Sequence, residues 1–349
     1  MVGNAGPGNA ISAEALVLRS GLRAWGYNSE IYAETVAPAS AWGDILPFER
    51  YEPGNADLLI FHYTRASLLS DYVRTLDVPL LLVYHNVTPP EFFWGANAQV
   101  AQSVQRGRAE LSAFREQTLL ALADSKFNRR DLVEAGYVQT NVLPIIIPDT
   151  LQRISPDTDV LAQLENSVNL LCVGRVVPNK CFEDVIKTLY YYQQIEPQAH
   201  LFLVGDTANT RPYVHWLHGL VTWLGLDDAV TFTNHVSDRA LAAYYRQASV
   251  LVYMSEHEGF GIPLVESMRF GVPIVAYAST AIPETLGGTG ILVTQKRFTV
   301  VAELIHLLQT DAELCQRIIS RQLERARDFE PDRVLSRFRE LLEQAIRQI

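Results

Sequence analysis

The chain has 349 residues, 48% of them hydrophobic, and 29 basic against 39 acidic side chains give a net charge of −10. That length suits two domains with separate cores, and the acidic balance argues against a sequence-independent nucleic-acid binder. The charge divides evenly, −5 on residues 1–149 and −5 on the rest, so neither half is marked out for an anionic membrane. Cys172, Cys181 and Cys315 are too few and too scattered for a disulfide framework or a zinc site. No apolar run reaches the roughly 18 residues of a spanning helix.

The opening MVGNAGPGNAISAEAL places Gly3, Gly6 and Gly8 in a loop that runs into a helix over about 11–25, with Leu16, Val17 and Leu22 on its buried side. No strand is expected ahead of this loop. Its spacing is not the G-x-G-x-x-G of a dinucleotide site. A doubly wound alternation follows. Strands are expected at 29–33, 56–62 and 79–84, helices at 67–75 and 97–122, and a further strand at 137–147. Ligands of such sheets bind beyond the carboxyl ends of the strands, where His62, His85, Asp124 and Ser125 fall. A histidine at a strand end is, on its own, a hydrogen-bonded structural residue more often than a ligand. Phe92, Phe93 and Trp94 read as aromatic packing against the core. Pro144, Pro148 and the polar run 149–156 read as a hinge. Asp157, Thr158 and Asp159 spell D-x-D, but they stand before a helix in a linker, so they are expected to start that helix and no metal is inferred.

The second half opens with a buried strand at 169–173. Arg175 and Lys180 lie in the loop that leaves it, a pair of cations suited to a diphosphate. Helices at 182–193, 213–224 and 237–247 alternate with strands at 200–204 and 230–233. Then comes ASVLVYMSEHEGFGIPLVESMRFGVPIVAY: a strand at 250–254, a loop closed by Gly259 and Gly261, a helix begun by Pro263, and a strand at 274–277. Gly259 and Gly261 allow close backbone approach to a ligand, and Pro263 fits the first helical turn. Free N–H groups and the positive end of the helix dipole favour an anion here. Glu258 and Glu266 suit sugar hydroxyls, for which a carboxylate is a strong acceptor. Beyond it a short helix is expected at 281–286, a strand at 290–293 and a helix at 299–308. The last stretch, 331–349, carries Val334, Leu335, Phe338, Leu341, Leu342 and Ile346 on one helical face.

Glu258 and Glu266, with GFGIP between them and GVPIVA after, resemble the paired-glutamate motif of retaining glycosyltransferases of the GT-B fold, specifically glycosyltransferase family 4. VYHNVTPP around His85 and the Arg175/Lys180 loop are similar to segments of the same family. The resemblance implies an α/β fold of two Rossmann-like doubly wound domains facing a deep cleft. Residues 1–148 would form the acceptor domain, its first strand short or missing, 149–330 the donor domain, and 331–349 a helix returning to the first. It implies that Arg175 and Lys180 stabilise the departing diphosphate, that Glu258 and His85 act at the donor sugar, and that Glu266 holds the ribose. Gly6, Gly8, Asn86, Gly174, Gly259, Phe260, Gly261 and Ile262 would complete the donor site, with the base cradled by His235 and Val236. The implied activity is retaining, metal-independent hexosyl transfer without a cofactor, from a UDP-hexose in preference to a GDP-hexose. The implied acceptor is a glycan or lipid-linked glycan of a surface polysaccharide. The location would be cytoplasmic, with at most peripheral contact at the inner face of the membrane. The alternatives are a nucleotide-sugar epimerase and a non-catalytic nucleotide-sugar-binding protein. A Rossmann oxidoreductase is disfavoured by the missing strand before Gly6.

Overall fold

The computed structural model describes residues 1–6, 8–37, 44–54, 57–165 and 167–347. Pro7 of the glycine loop, the first residue of the strand expected at 56–62 and the last two residues of the terminal segment lie outside them. The chain divides into two compact units. The first comprises Met1–Pro90, Gln99–Pro148 and Asp328–Ile349; the second comprises Glu91–Ala98 and Asp149–Arg327.

In the first unit every strand pairing is parallel. Strands β1 (Val2–Ala5), β2 (Ile31–Val36) and β3 (Ile45–Pro47) run side by side, as do β4 (Leu59–Tyr63), β5 (Leu80–Tyr84), β6 (Thr118–Ala123) and β7 (Thr140–Val142). The His62 N–H donates to the Met1 carbonyl at 3.0 Å. This bond joins β1 to β4, giving the order β3-β2-β1-β4-β5-β6-β7. The strand order reverses between β1 and β4, the point at which such sheets take their ligands. The helix Pro331–Ile346 closes the unit. Its Val334, Phe338, Leu341, Leu342 and Ala345 pack with Leu18 and Leu22 of the first helix (Ala10–Ala24) and with Leu81 and Val83 of β5. The two helices approach closely at Gly21, where a Cβ would meet Leu335 Cδ1 at 2.8 Å.

The second unit repeats the plan. Strands β8 (Asn169–Val173), β9 (His200–Val204), β10 (Val230–Asn234), β11 (Val250–Tyr253), β12 (Ile274–Tyr277) and β13 (Ile291–Val293) form one parallel sheet in the order β10-β9-β8-β11-β12-β13. β8 and β11 are buried at every residue, as uninterrupted apolar runs demand when helices cover both faces. Here the order reverses between β8 and β11.

Two expectations are overturned. β1 exists and leads directly into the Gly6 loop. Its sequence, VGNA, has almost no strand propensity, and pairing with a neighbour on either side supplies the stability instead. The expected helix over 97–122 ends at Glu110, passes through a 3₁₀ stretch and becomes β6. The run Leu119–Ala123 is rich in helix formers, but β5 and β7 claim both of its edges, and tertiary pairing overrides propensity. The D-x-D is a helix start, with Asp157 Oδ1 accepting the N–H groups of Asp159 and Val160.

Candidate nucleotide-sugar site

The loops leaving β8 and β11, the two strands at the reversal, carry the residues of interest in the second unit. β8 ends at Val173, and Gly174 turns the chain with its N–H on the Val204 carbonyl. The end of β9 lies so close that a Cβ on Gly205 would fall 1.8 Å from the Gly174 oxygen. Lys180 is delivered by a 3₁₀ turn, Pro178–Lys180, to the side of Glu258. Its Nζ donates to both Glu258 oxygens, at 2.6 and 2.7 Å, and stands 3.2 Å from the Tyr253 hydroxyl. Tyr253 in turn donates to Glu258 Oε1 at 2.7 Å. Only 17% of the Lys180 side chain and 7% of the Glu258 side chain are accessible. Arg175, the companion cation, is exposed.

Glu258 is anchored through its backbone too, its N–H donating to Thr280 Oγ1 at 2.9 Å. Gly261 follows with φ +92, a left-handed conformation that admits glycine, and it caps the helix Ile262–Phe270. No described side chain caps this N-terminus. Donors and the positive dipole end are therefore presented at the carboxyl edge of the sheet. Phe260 is buried, its carbonyl accepting from Thr285 at 2.6 Å. Glu266, one turn into the helix, accepts from the Tyr245 hydroxyl at 2.7 Å. Burial raises the Glu266 pKa, against the lowering effect of that hydrogen bond and of Arg269. At the end of β10, His235 is exposed and Val236 half-buried.

In the first unit the glycine loop lies between β1 and the first helix. Gly8 takes φ +72, and Asn9 Oδ1 caps the helix by accepting from Ile11 and Ser12, so two donors of this N-terminus are already engaged. His85, just beyond β5, has both ring nitrogens partnered inside the unit, Nε2 with His62 Nδ1 at 2.9 Å and Nδ1 with Asp124 Oδ2 at 3.1 Å. Asn86 is buried with φ +69, and its amide donates to Asn128 at 3.1 Å. The aromatic cluster splits: Phe93 is buried, Trp94 is half exposed, and the Phe92 ring sits 6.1 Å from that of His257.

Tyr253, Tyr245, Thr280 and Glu14 belong to these two networks, and the sequence did not mark them. Tyrosines in apolar strands and helices read as core, and Glu14 reads as one more polar residue of an amphipathic helix. Only their partners, 5 to 48 residues away for Tyr253 and Glu14 with Glu258 and His62, reveal a polar function.

Residues 157–325, which lie within the second unit, match the family model described as "Glycosyl transferases group 1". The chain is 25% identical over 321 residues to the "D-inositol 3-phosphate glycosyltransferase" of Streptomyces bingchenggensis, covering 85% of this chain and 68% of that one. It is 30% identical over 156 residues, 40% of each chain, to the "GDP-mannose-dependent alpha-(1-6)-phosphatidylinositol monomannoside mannosyltransferase" of Mycolicibacterium smegmatis. The structure of Anabaena Alr3699/HepE in complex with UDP-glucose superposes with a TM-score of 0.73 at 18% identity, over 98% of this chain and 99% of that one. The fold is that of the GT-B glycosyltransferases.

Proposed function

We propose that this chain, which matches the group 1 glycosyltransferase model over residues 157–325, is a retaining, metal-independent hexosyltransferase of family 4 type. The donor is a nucleotide sugar, a UDP-hexose in preference to a GDP-hexose, the acceptor a hydroxyl of a glycan or lipid-linked glycan in surface polysaccharide synthesis, and the location cytoplasmic, with at most peripheral contact at the inner face of the membrane. The GDP-mannose in the name of the Mycolicibacterium protein and the UDP-glucose bound by the Anabaena protein support a nucleotide-sugar donor, one with each base.

The observation that carries this reading is the Lys180–Glu258–Tyr253 cluster beside the uncapped helix Ile262–Phe270. One small region offers cations and backbone donors for a diphosphate and carboxylates for hydroxyls. In the proposed reaction the diphosphate lies at the helix N-terminus near Gly261 and Ile262, with Arg175 and Lys180 stabilising the charge that develops as the glycosidic bond breaks. The Glu266 carboxylate accepts from the ribose hydroxyls. Glu258, with the backbone of Gly259 and Phe260, holds the donor sugar, on which His85 acts from the first unit. In this proposal Gly6, Gly8 and Asn86 also contribute to donor binding, Gly174 lets the chain pass close to the diphosphate, and the His235–Val236 backbone takes the base. The acceptor attacks from the face that the diphosphate leaves, and the leaving phosphate takes the acceptor's proton.

Lys180 enters this scheme already bound to Glu258. The diphosphate therefore has to draw the ammonium from one anion to another, and Glu258 is released to a sugar hydroxyl in the same step. Donor binding and sugar recognition are thereby coupled.

Calorimetric titration with UDP, GDP and ADP, followed by the matching nucleotide sugars, tests the reading. Saturable binding of one diphosphate, with slow release of free hexose from its sugar conjugate, is the expected result. No binding of any of them would overturn it.

A further inference from the structure

Four titratable side chains from four segments meet in the interior of the first unit. Glu14 comes from the first helix, His62 from β4, His85 from just beyond β5, and Asp124 from the end of β6. Their side chains are 1%, 3%, 4% and 5% accessible. Glu14 Oε1 accepts the Ile146 N–H at 2.9 Å. Its other oxygen, Oε2, has no hydrogen-bond partner and stands 3.5 Å from both His62 Nδ1 and His85 Nε2.

Glu14, His62 and His85 offer three ligand atoms within 4.8 Å of one another, the spacing of a metal triad. The ring geometry decides otherwise. The two imidazole planes are parallel to within 3°, with centroids 5.2 Å apart and the facing nitrogens at 2.9 Å. Rings in face-to-face contact stay about 3.5 Å apart, so a 2.9 Å contact sets these end to end in nearly one plane. Each facing nitrogen then points at the other, as an N–H···N hydrogen bond requires, and the two do not converge on a third point.

The protons can be placed. Asp124 is acceptor-only, so His85 Nδ1 carries a hydrogen towards it. One hydrogen lies between His85 Nε2 and His62 Nδ1. Two arrangements then have equal overall charge: a protonated Glu14 beside a neutral His85 whose Nε2 accepts from His62 Nδ1–H, or a Glu14 carboxylate beside a His85 imidazolium whose Nε2–H donates to His62 Nδ1, the His62 hydrogen then standing on its Nε2. Burial pushes Glu14 up to about 7, opposed by the His85 charge. Burial pulls His85 down, but the charge and hydrogen bond of Asp124, with Glu14, outweigh it and leave the imidazole above the ordinary histidine range. Burial and the His85 charge hold His62 well below that range, so His62 stays neutral. The Met1 amino group also faces His62 and is itself lowered to about 5 by burial. Glu14 and His85 thus compete for one proton.

We propose that Glu14 is a positioning residue for His85: the two share a single buried proton, His62 and Asp124 fix the imidazole in its plane, and the Glu14 carboxylate favours the imidazolium form. The chemical part of this proposal rests on the reading of His85 above: with both ring nitrogens engaged inside the unit, the imidazolium acts on the departing diphosphate through its charge and not through a hydrogen bond. The shared proton does not depend on that reading.

The test follows the eight histidines by long-range ¹H–¹⁵N spectra and the carboxylates by ¹³C spectra, in the full chain, with H62N and H85N used for assignment. In the wild-type protein the Glu14 carboxyl is expected to titrate near neutrality together with His85. In E14Q the His85 midpoint is expected to fall by about one pH unit. In the transferase assay, E14Q should lower kcat about tenfold above that midpoint, as a unit of pKa implies, with the donor KM unchanged. A Glu14 carboxyl that titrates at about 4.3 in the folded wild type, or an unmoved His85 midpoint in E14Q, overturns the shared proton. So does stoichiometric zinc uptake that abolishes both titrations. A shifted midpoint with unchanged kcat overturns the positioning role. Absence of any transfer by the wild type is a failure of the broader reading, and leaves both titrations to decide the shared proton.

Discussion

Lys180 and Glu258 are the residues at which stability and chemistry meet. The ammonium is held by both carboxylate oxygens and lies beside the Tyr253 hydroxyl, so a phosphate competes with Glu258 for it. E258Q removes the competing charge. Nucleoside diphosphate is expected to bind several-fold more tightly to this variant while transfer falls about a hundredfold, read by calorimetry and by product formation. K180A acts in the opposite sense, weakening diphosphate binding. It also leaves a buried carboxylate with the Tyr253 hydroxyl but no cation, at a cost of about 3 kcal/mol in urea unfolding. The double variant K180A/E258Q should recover most of that loss. Glu266 gives a pH prediction with a definite sign. Its pKa is raised by burial, and the ionised form is the acceptor for ribose. Nucleotide affinity should be complete above the raised pKa and decline as pH falls through it, beginning above the ordinary carboxylate range. E266Q should bind more weakly and show no such step.

At the scale of elements, the candidate site of the second unit is made by the loops leaving β8 and β11, where the strand order reverses. Gly205 sets how closely β8 and β9 finish. A side chain there would strike the Gly174 carbonyl oxygen, and φ is +157. Backbone on backbone has no flexible atom to yield, so G205A should destabilise the chain by about 3 kcal/mol or more and displace the loop that carries Arg175 and Lys180. Denaturant unfolding and diphosphate titration of the same variant check both effects. The helix Ile262–Phe270 was legible in advance because each of its signals is local: Gly261 before it, Pro263 in its first turn, Gly271 after it. β1 and β6 were not legible, since VGNA and TLLALA become strands through the neighbours that pair with them.

Across the whole molecule, the last helix, Pro331–Ile346, completes the core of the unit that holds the first residues of the chain. Phe338 is fully buried there, its ring 6.4 Å from that of Trp25. F338A should cost about 3–5 kcal/mol, observed as a loss of stability in the first unit while diphosphate binding by the second persists. The chain passes between the units at Pro90/Glu91, Ala98/Gln99, Pro148/Asp149 and Arg327/Asp328.

By itself the sequence determined the alternation of strands and helices, the glycine loop with its paired glutamates, and the cations in the loop after β8. Periodicity, caps and turn residues act over a few positions, so the order of residues carries them. Only the tertiary structure decided that Lys180 holds Glu258 across 78 residues, that Asn9 engages two donors of its own helix, and that Glu14, His62, His85 and Asp124 share one buried space. Hydrogen bonds and desolvation depend on distance in space. Which carboxylate meets which cation, and which is stripped of water, was fixed when the parallel sheets brought remote strand ends together.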